Sequence, residues 1–162
     1  MQYLPINFPD DFDTVKKVVQ SAFSSTSDSS LSEWLSFSEM EKMIIQKRGM
    51  CIKAVDSRNN IIGSIYAQQE NPINGREGLE KWVIVALAVN PNDSGKGIGS
   101  GLIKAMEQYA KKHGAIKMFA YTNKEDDRVV HFYKNNGYQD AGWIKDYQYG
   151  KDNSAIFLLK YL

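Results

Sequence analysis

Residues 81–89 read KWVIVALAV, a nearly unbroken apolar run. A run of this kind predicts a strand buried on both faces, because a strand with one wet face alternates apolar with polar residues. Directly after it comes NDSGKGIGSGL, Asn92 to Leu102, with four glycines between Gly95 and Gly101. Leu102, Ile103, Met106, Tyr109 and Ala110 then recur at helical spacing, and Gly114 marks the helix end. AIKMFAYT follows as another strand. Strand, glycine turn, helix and strand make a βαβ unit with parallel strands and a right-handed crossover. An α/β sheet is the fold that such a unit requires.

The flanking sequence fills in that sheet. Gln2 to Ile6 reads as a short strand. Phe12, Val15, Val18, Val19 and Phe23 share one helical face, with acids at the helix start. A second helix is expected around Ser36 to Lys47, with Ser38 as its cap. Ser24 to Ser32 is polar and reads as a loop. Cys51 to Val55 and Ile61 to Ala67, joined by the turn DSRNN, form a hairpin. Glu70 to Gly78 reads as a polar loop. DDRVVHFYKNNGY is a short helix that stops before Gly137, and two strands, Tyr138 to Tyr147 and Ala155 to Tyr161, follow it. No internal repeat or long linker divides the chain, so residues 1–162 are expected to form a single domain.

Composition narrows the function classes. With 162 residues, 43% apolar and 24% charged, the chain can build a sizeable core. A net charge of +1 gives no global field for nucleic acid or an anionic membrane. The lone cysteine, Cys51, excludes an internal disulfide and fits a reducing compartment. MQYLPINFPDDF lacks the basic start and apolar core of a signal peptide, and no stretch is long enough to span a membrane. A cytoplasmic location is expected, as a monomer or homodimer. His113 and His131 have no ligand partner at useful spacing, so no metal site is expected.

A turn from strand into helix points backbone N–H groups outward, and the helix dipole adds positive potential; together these suit phosphate oxygens. Glycine permits positive φ and close approach, and Lys96 adds a charge. Two familiar phosphate loops do not fit. A Walker A loop needs Ser or Thr after its lysine, where this chain has Gly97. A dinucleotide fingerprint started at Gly95 ends on Ser100, and one started at Gly97 ends on Leu102. From the glycines alone, a tight strand-to-helix connection and a phosphate cradle remain equally open.

LAVNPNDSGKGIGSGLI resembles the acyl-CoA loop of the GNAT superfamily of N-acetyltransferases, whose motif is [QR]-x-x-G-x-[GA] after a strand ending L-x-V-x-P. Leu87, Ala88, Val89, Asn90 and Pro91 supply the strand end, and Gly97 and Gly99 fill the glycine positions. Ser94 stands where Gln or Arg is usual. HFYKNNGY resembles the family's F-Y-x-x-x-G-[FY], carried by Phe132, Tyr133, Gly137 and Tyr138. The helix, helix, hairpin start and the ending DYQYGKDNSAIFLLKYL fit as well, so the resemblance covers nearly the whole chain. It implies the GNAT fold: a mixed twisted sheet of about seven strands flanked by about four helices, in the order β-α-α-β-β-β-α-β-α-β-β.

The resemblance also implies chemistry. In the family the parallel strands around the glycine loop splay, and the pantetheine arm of acetyl-CoA pairs with the first strand, here Leu87, Ala88 and Val89. Ser94, Gly95, Lys96, Gly97, Ile98, Gly99 and Ser100 would hold the pyrophosphate. An acetyl group would pass to a primary amine: a protein N-terminus or lysine, a polyamine, an amino acid or an aminoglycoside. A main-chain N–H near Ala88 is the candidate oxyanion donor, and Tyr133 matches the tyrosine that protonates the leaving thiolate or only hydrogen-bonds the sulfur. Many members place a carboxylate on the strand before the loop. Val83, Ile84, Val85 and Ala86 offer none. Glu80 is then either a base acting through a water or a solvated strand-end charge. Asp126 stands where members often carry a pantetheine-contacting Asn; its other reading is a helix cap. Trp34, Trp82, Trp143 and the tyrosines are core and rim packing or acceptor lining. A non-catalytic acyl-CoA-binding module is the alternative that the absent strand carboxylate and Ser94 favour.

Overall fold

The computed structural model describes residues 1–24, 31–70, 80–148 and 151–162. The predicted loop at Glu70 to Gly78 lies almost entirely outside them, as does most of Ser24 to Ser32. Seven strands form one sheet in the order β1-β2-β3-β4-β5-β7-β6. They are β1 Gln2–Pro5, β2 Gly49–Val55, β3 Ile61–Gln69, β4 Lys81–Val89, β5 Lys117–Asn123, β6 Gln139–Ile144 and β7 Ala155–Tyr161. Five helices are described: α1 Phe12–Ser24, α2 Leu31–Trp34, α3 Phe37–Ile45, α4 Ile98–Lys112 and α5 Asp127–Asn135. The single turn α2 replaces the last residues of the predicted serine-rich loop. The chain forms two compact units, and β4 and α4 each contribute to both.

The first unit contains residues 1–68 and 85–109. β1 pairs antiparallel with β2, and β2 with β3 from Gly49↔Gln68 to Val55↔Ile61. The β2–β3 turn follows from its sequence. Asp56 accepts bonds from the amides of Arg58 and Asn60, both 2.8 Å, and Asn59 sits at φ 64°, a conformation that Asn tolerates. α1 buries Phe12, Val15, Val18 and Val19 against Leu35, Met40, Cys51, Tyr66, Ala86 and Ala88. Burying those four α1 side chains contributes on the order of 6–10 kcal/mol before chain entropy is subtracted. Elsewhere in this unit, Gly63 lies under Ile98 and Leu102 of α4, where a methyl would meet both at 3.3 Å.

α3 begins two residues earlier than a cap at Ser38 would allow. Its cap is Ser36, whose hydroxyl accepts from the Glu39 amide at 3.3 Å; Ser38 contributes only a 2.9 Å hydroxyl contact to Ser36. Asp11 pairs with Lys53 at 2.6 Å, both side chains mostly buried. Burial raises the Asp11 carboxyl, but the Lys53 hydrogen bond, the Asn7 amide and the Lys53 charge outweigh it and hold it below its ordinary value. A depressed carboxyl stabilises the fold above its unfolded pKa, and that gain disappears as pH falls through the folded one. Asp11→Asn is therefore expected to cost about 1–2 kcal/mol at pH 7. In urea titrations the difference should shrink as pH falls through the depressed folded value of the wild-type carboxyl.

The second unit contains residues 69–84 and 110–162. β4 and β5 run parallel from Lys81↔Lys117 to Ile84↔Ala120, and β5 continues antiparallel to β7 through Asn123↔Ala155. β6 is an edge strand, exposed along its length and bulged between Asp140 and Gly142, where Gly142 sits at φ 124°. The bulge twists an edge that would otherwise invite further pairing. α5 is capped by Asp126, which accepts from the Val129 amide at 3.0 Å. It ends at Gly137, φ 88°, and Lys160 donates to the Asn136 carbonyl at 2.9 Å. An acid at the start and a cation at the end both suit the helix dipole.

Candidate active site

The strand predicted to be buried on both faces is half right. Trp82, Ile84, Ala86 and Ala88 are buried, whereas Val83, Val85, Leu87 and Val89 are half-buried. β4 also remains a strand for five residues past Ile84, its last residue with a β5 partner. Leu87, Ala88 and Val89, the predicted pantetheine edge, lie in that extension. The Asn90 amide closes it by donating to Ile62 O at 2.9 Å.

The glycine segment then makes two movements. Pro91–Asp93 forms a 3-10 turn that ends at Ser94, which is exposed and extended. Gly95 and Gly97 take φ 77° and 76°, which an L side chain adopts only under strain. α4 starts at Ile98, and its first α-helical bond runs from the Gly101 amide to Gly97 O, 3.1 Å. The amides of Ile98, Gly99 and Ser100 therefore precede the helical ladder, and the residue before them has no side chain to cap them. A methyl at Gly95 or Gly97 would meet no atom of the described residues within 4 Å. These two glycines are dictated by backbone conformation, and open space stands beside them among the described residues. Gly101 has another reason: a methyl there would lie 2.1 Å from the Tyr3 ring. Lys96 is not poised over the turn. Its ammonium bonds Asp93 at 2.7 Å and Asn92 O at 3.2 Å. An exposed pair of this kind is worth under about 1 kcal/mol, so it breaks readily.

The second unit holds the other predicted residues. Tyr133 on α5 is buried, 7% exposed, with its ring edge-on to Phe132 and Tyr138 at 5.4 and 5.5 Å. Its hydroxyl has no hydrogen-bond partner among the described residues, and burial pushes its pKa above the ordinary tyrosine value. Asp126 takes the capping role, its Oδ1 engaged by Val129 N. Glu80 immediately precedes β4, half-buried, and its carbonyl accepts from Ile116 N at 3.0 Å.

The remaining candidates resolve into packing. Cys51 is fully buried, and burial, with the Asp11 charge second, pushes its thiol up, so it stays unreactive at neutral pH. His113 and His131 are exposed, and His131 Nδ1 donates to Asp127 O at 2.7 Å. Trp82 is core, Trp34 packs edge-on to Phe23 at 5.1 Å, and Trp143 lies 54% exposed beneath Lys124. Sequence reading missed a cluster formed by Tyr121, Tyr147 and Phe157, with ring centroids 5.0–5.6 Å apart.

Residues 15–138 match the Acetyltransferase (GNAT) family. The chain belongs to that family. A relative described as an uncharacterised N-acetyltransferase of Methanocaldococcus jannaschii is 32% identical over 79 residues, 46% of this chain. The match spans 35% of that relative's length. Among solved structures, the GNAT fold recurs in a ribosomal-protein-alanine N-acetyltransferase of Brucella melitensis, TM-score 0.81 at 14% identity, with both chains covered in full. It recurs also in an aminoglycoside 6'-N-acetyltransferase of Enterococcus faecium, TM-score 0.74 at 20% identity, covering 99% of this chain and 97% of that one. An aminoglycoside 6'-N-acetyltransferase complexed with coenzyme A superposes with TM-score 0.76 at 18% identity, with 99% and 97% coverage. The seven-stranded mixed sheet of this GNAT chain has the element order that its sequence implied, with a one-turn helix added before α3. No helix among the described residues is long and apolar enough to cross a membrane.

Proposed function

We propose that this chain is an acetyl-CoA-dependent N-acetyltransferase that moves an acetyl group from the CoA thioester to a primary amine by direct attack. The turn at Gly95–Ser100 carries the reading: amides ahead of the first helical bond, two positive-φ glycines and open space beside them. Those donors fit a diphosphate without any contribution from Ser94, so the unusual residue there does not disable the cradle. Leu87, Ala88 and Val89 would take the pantetheine along the β4 extension, and an amide near Ala88 would meet the developing oxyanion.

The amine attacks only after losing its proton, because an alkylammonium, pKa about 10, has no free lone pair. With no carboxylate from Val83 to Ala86, Glu80 acting through a water is the base of this proposal. Tyr133 supplies the proton for the departing thiolate. Its raised pKa keeps the hydroxyl protonated across neutral and mildly alkaline pH. The sign follows directly: raising pH increases the free amine and does not deplete the acid. kcat/KM is expected to climb from pH 6 to about pH 9.5 with no descending limb. A fall beginning below pH 9 would assign the acid to a group other than Tyr133.

The similar structures are named for aminoglycoside and ribosomal-protein-alanine acceptors, so the acceptor class is open to direct test. Release of the CoA thiol, followed with a chromogenic disulfide across a panel of amines, tests the activity. Tight acetyl-CoA binding without thiol release for any amine would support the non-catalytic module instead.

A further inference from the structure

The amides of Ile98, Gly99 and Ser100 can act together only if their turn is held at one angle to the sheet, because a hydrogen bond weakens steeply as its donor moves off line. The glycines of the turn do not fix that angle, since they bring no side chain to anchor it. Two contacts from distant parts of the chain do, and all of their residues belong to the first unit.

The first contact is on β3. Gly63 lies under the buried Ile98 and Leu102, and a methyl there would meet both at 3.3 Å and Ala88 O at 3.0 Å. The start of α4 therefore sits as low on the sheet as a bare backbone permits. The second contact is on β1. Gln2, Leu4 and Pro5 are exposed, whereas Tyr3, paired with Ala54 of β2, is half-buried. The tip of its ring, Cζ and Oη with Cε2, fills the place that a Gly101 side chain would take. Gly101 lies inside α4 without a positive φ, so space and not backbone conformation calls for glycine there. A helical Cβ points toward the helix N-terminus. The ring in its place therefore lies along the first turn, beside the residue whose amide makes the first helical bond, to Gly97 O at 3.1 Å. β1 and β3 stand on either side of β2, so the two contacts are two strand spacings, about 10 Å, apart. One contact alone would leave the helix free to roll about its axis; two on different strands prevent it.

We infer that Tyr3 is a positioning residue for coenzyme binding: seated in the Gly101 notch, it fixes the rotation of α4 and so aims the amides of Ile98, Gly99 and Ser100. This rests on the reading of those amides as the diphosphate cradle. Tyr3 takes no part in bond making and acts through Gly101.

Calorimetric titration with acetyl-CoA, each variant held well below its melting temperature, tests this. Tyr3→Ala is expected to bind about tenfold more weakly, and Tyr3→Phe, which keeps the ring, within twofold of wild type. Leu4→Ala, exposed and on the opposite face of β1, should also bind as wild type does, which separates loss of the ring from a loosened strand. Gly101→Ala is the sharper arm. Alanine is the better helix former, so propensity alone would strengthen α4. The notch predicts instead a loss of about tenfold, as the methyl displaces the ring. With Tyr3→Ala and Gly101→Ala combined, the methyl meets no ring, so the double variant should lose about tenfold and not the roughly hundredfold of independent effects. While Gly97→Leu weakens binding, three results each overturn the inference alone. They are Tyr3→Ala or Gly101→Ala affinity within twofold of wild type, a Tyr3→Phe loss equal to that of Tyr3→Ala, and additive losses in the double variant. Gly97→Leu binding as tightly as wild type overturns the diphosphate cradle, and this inference with it.

Discussion

Gly97→Leu is expected to weaken acetyl-CoA binding by on the order of 100-fold or more, with only a modest loss of stability. The two effects separate because of where the glycine sits. Its φ of 76° makes a leucine strained there, by about 1–2 kcal/mol, but the new side chain enters space that no described residue occupies within 4 Å of its first carbon. The fold therefore bears only the backbone term. A diphosphate drawn to the amides between Gly95 and Ser100 would need that same space. Displacing it forfeits two or more hydrogen bonds to a charged group, each worth about 1.5–3 kcal/mol. Calorimetric titration with acetyl-CoA, paired with thermal melting, reads both quantities. Lys96→Ala is the useful contrast. Its ammonium is already turned onto Asp93, so a loss near tenfold or less is expected. Affinity of the leucine variant within threefold of wild type would place the diphosphate away from this turn.

The glycine turn was legible in the sequence because its cause is local. Two glycines are required by their own φ values, and the helix that follows is marked by Leu102, Ile103 and Met106, all buried. The α1 stripe was legible for the same reason, one face repeating at 3.6 residues and buried as a block. What escaped depended on neighbours distant in sequence. β4 is apolar on both faces, yet Leu87 and Val89 stay half-buried, because their degree of cover depends on which strands and helices lie beside them. The turn at Leu31–Trp34 has no periodicity of its own, and its last residue packs on Phe23. The cap of α3 was a misreading rather than an absent signal: Ser36 followed three residues later by Glu39 is the capping-box spacing, whereas Ser38 lies inside the helix. Asp126 is the reverse case. Sequence allowed a ligand contact or a cap, and the bond to Val129 N establishes the cap. The Tyr121–Tyr147–Phe157 cluster joins two strands and a connection through β5–β7 register, which no single stretch of sequence specifies.

Tyr133→Phe is expected to reduce kcat by about 100-fold while the KM for acetyl-CoA changes by less than about threefold. The substitution is clean in this structure. The hydroxyl bonds no described residue, so removing it strands no buried partner, and the ring keeps its edge-on contacts with Phe132 and Tyr138. What the hydroxyl would offer in the proposed reaction is a proton. A buried tyrosine with a raised pKa is a weak acid in the resting site. The same low dielectric would also destabilise a thiolate formed beside it, raising the sulfur's proton affinity in step. Transfer then remains matched even though neither group has its aqueous pKa. This argument separates an acid from a spectator. Acetyl thioesters whose leaving thiol is more acidic need less help, so Tyr133→Phe should slow them less than it slows acetyl-CoA. Equal slowing for acidic and ordinary thiols would reduce Tyr133 to a packing residue that hydrogen-bonds the sulfur. An unchanged kcat would remove it from the chemistry altogether.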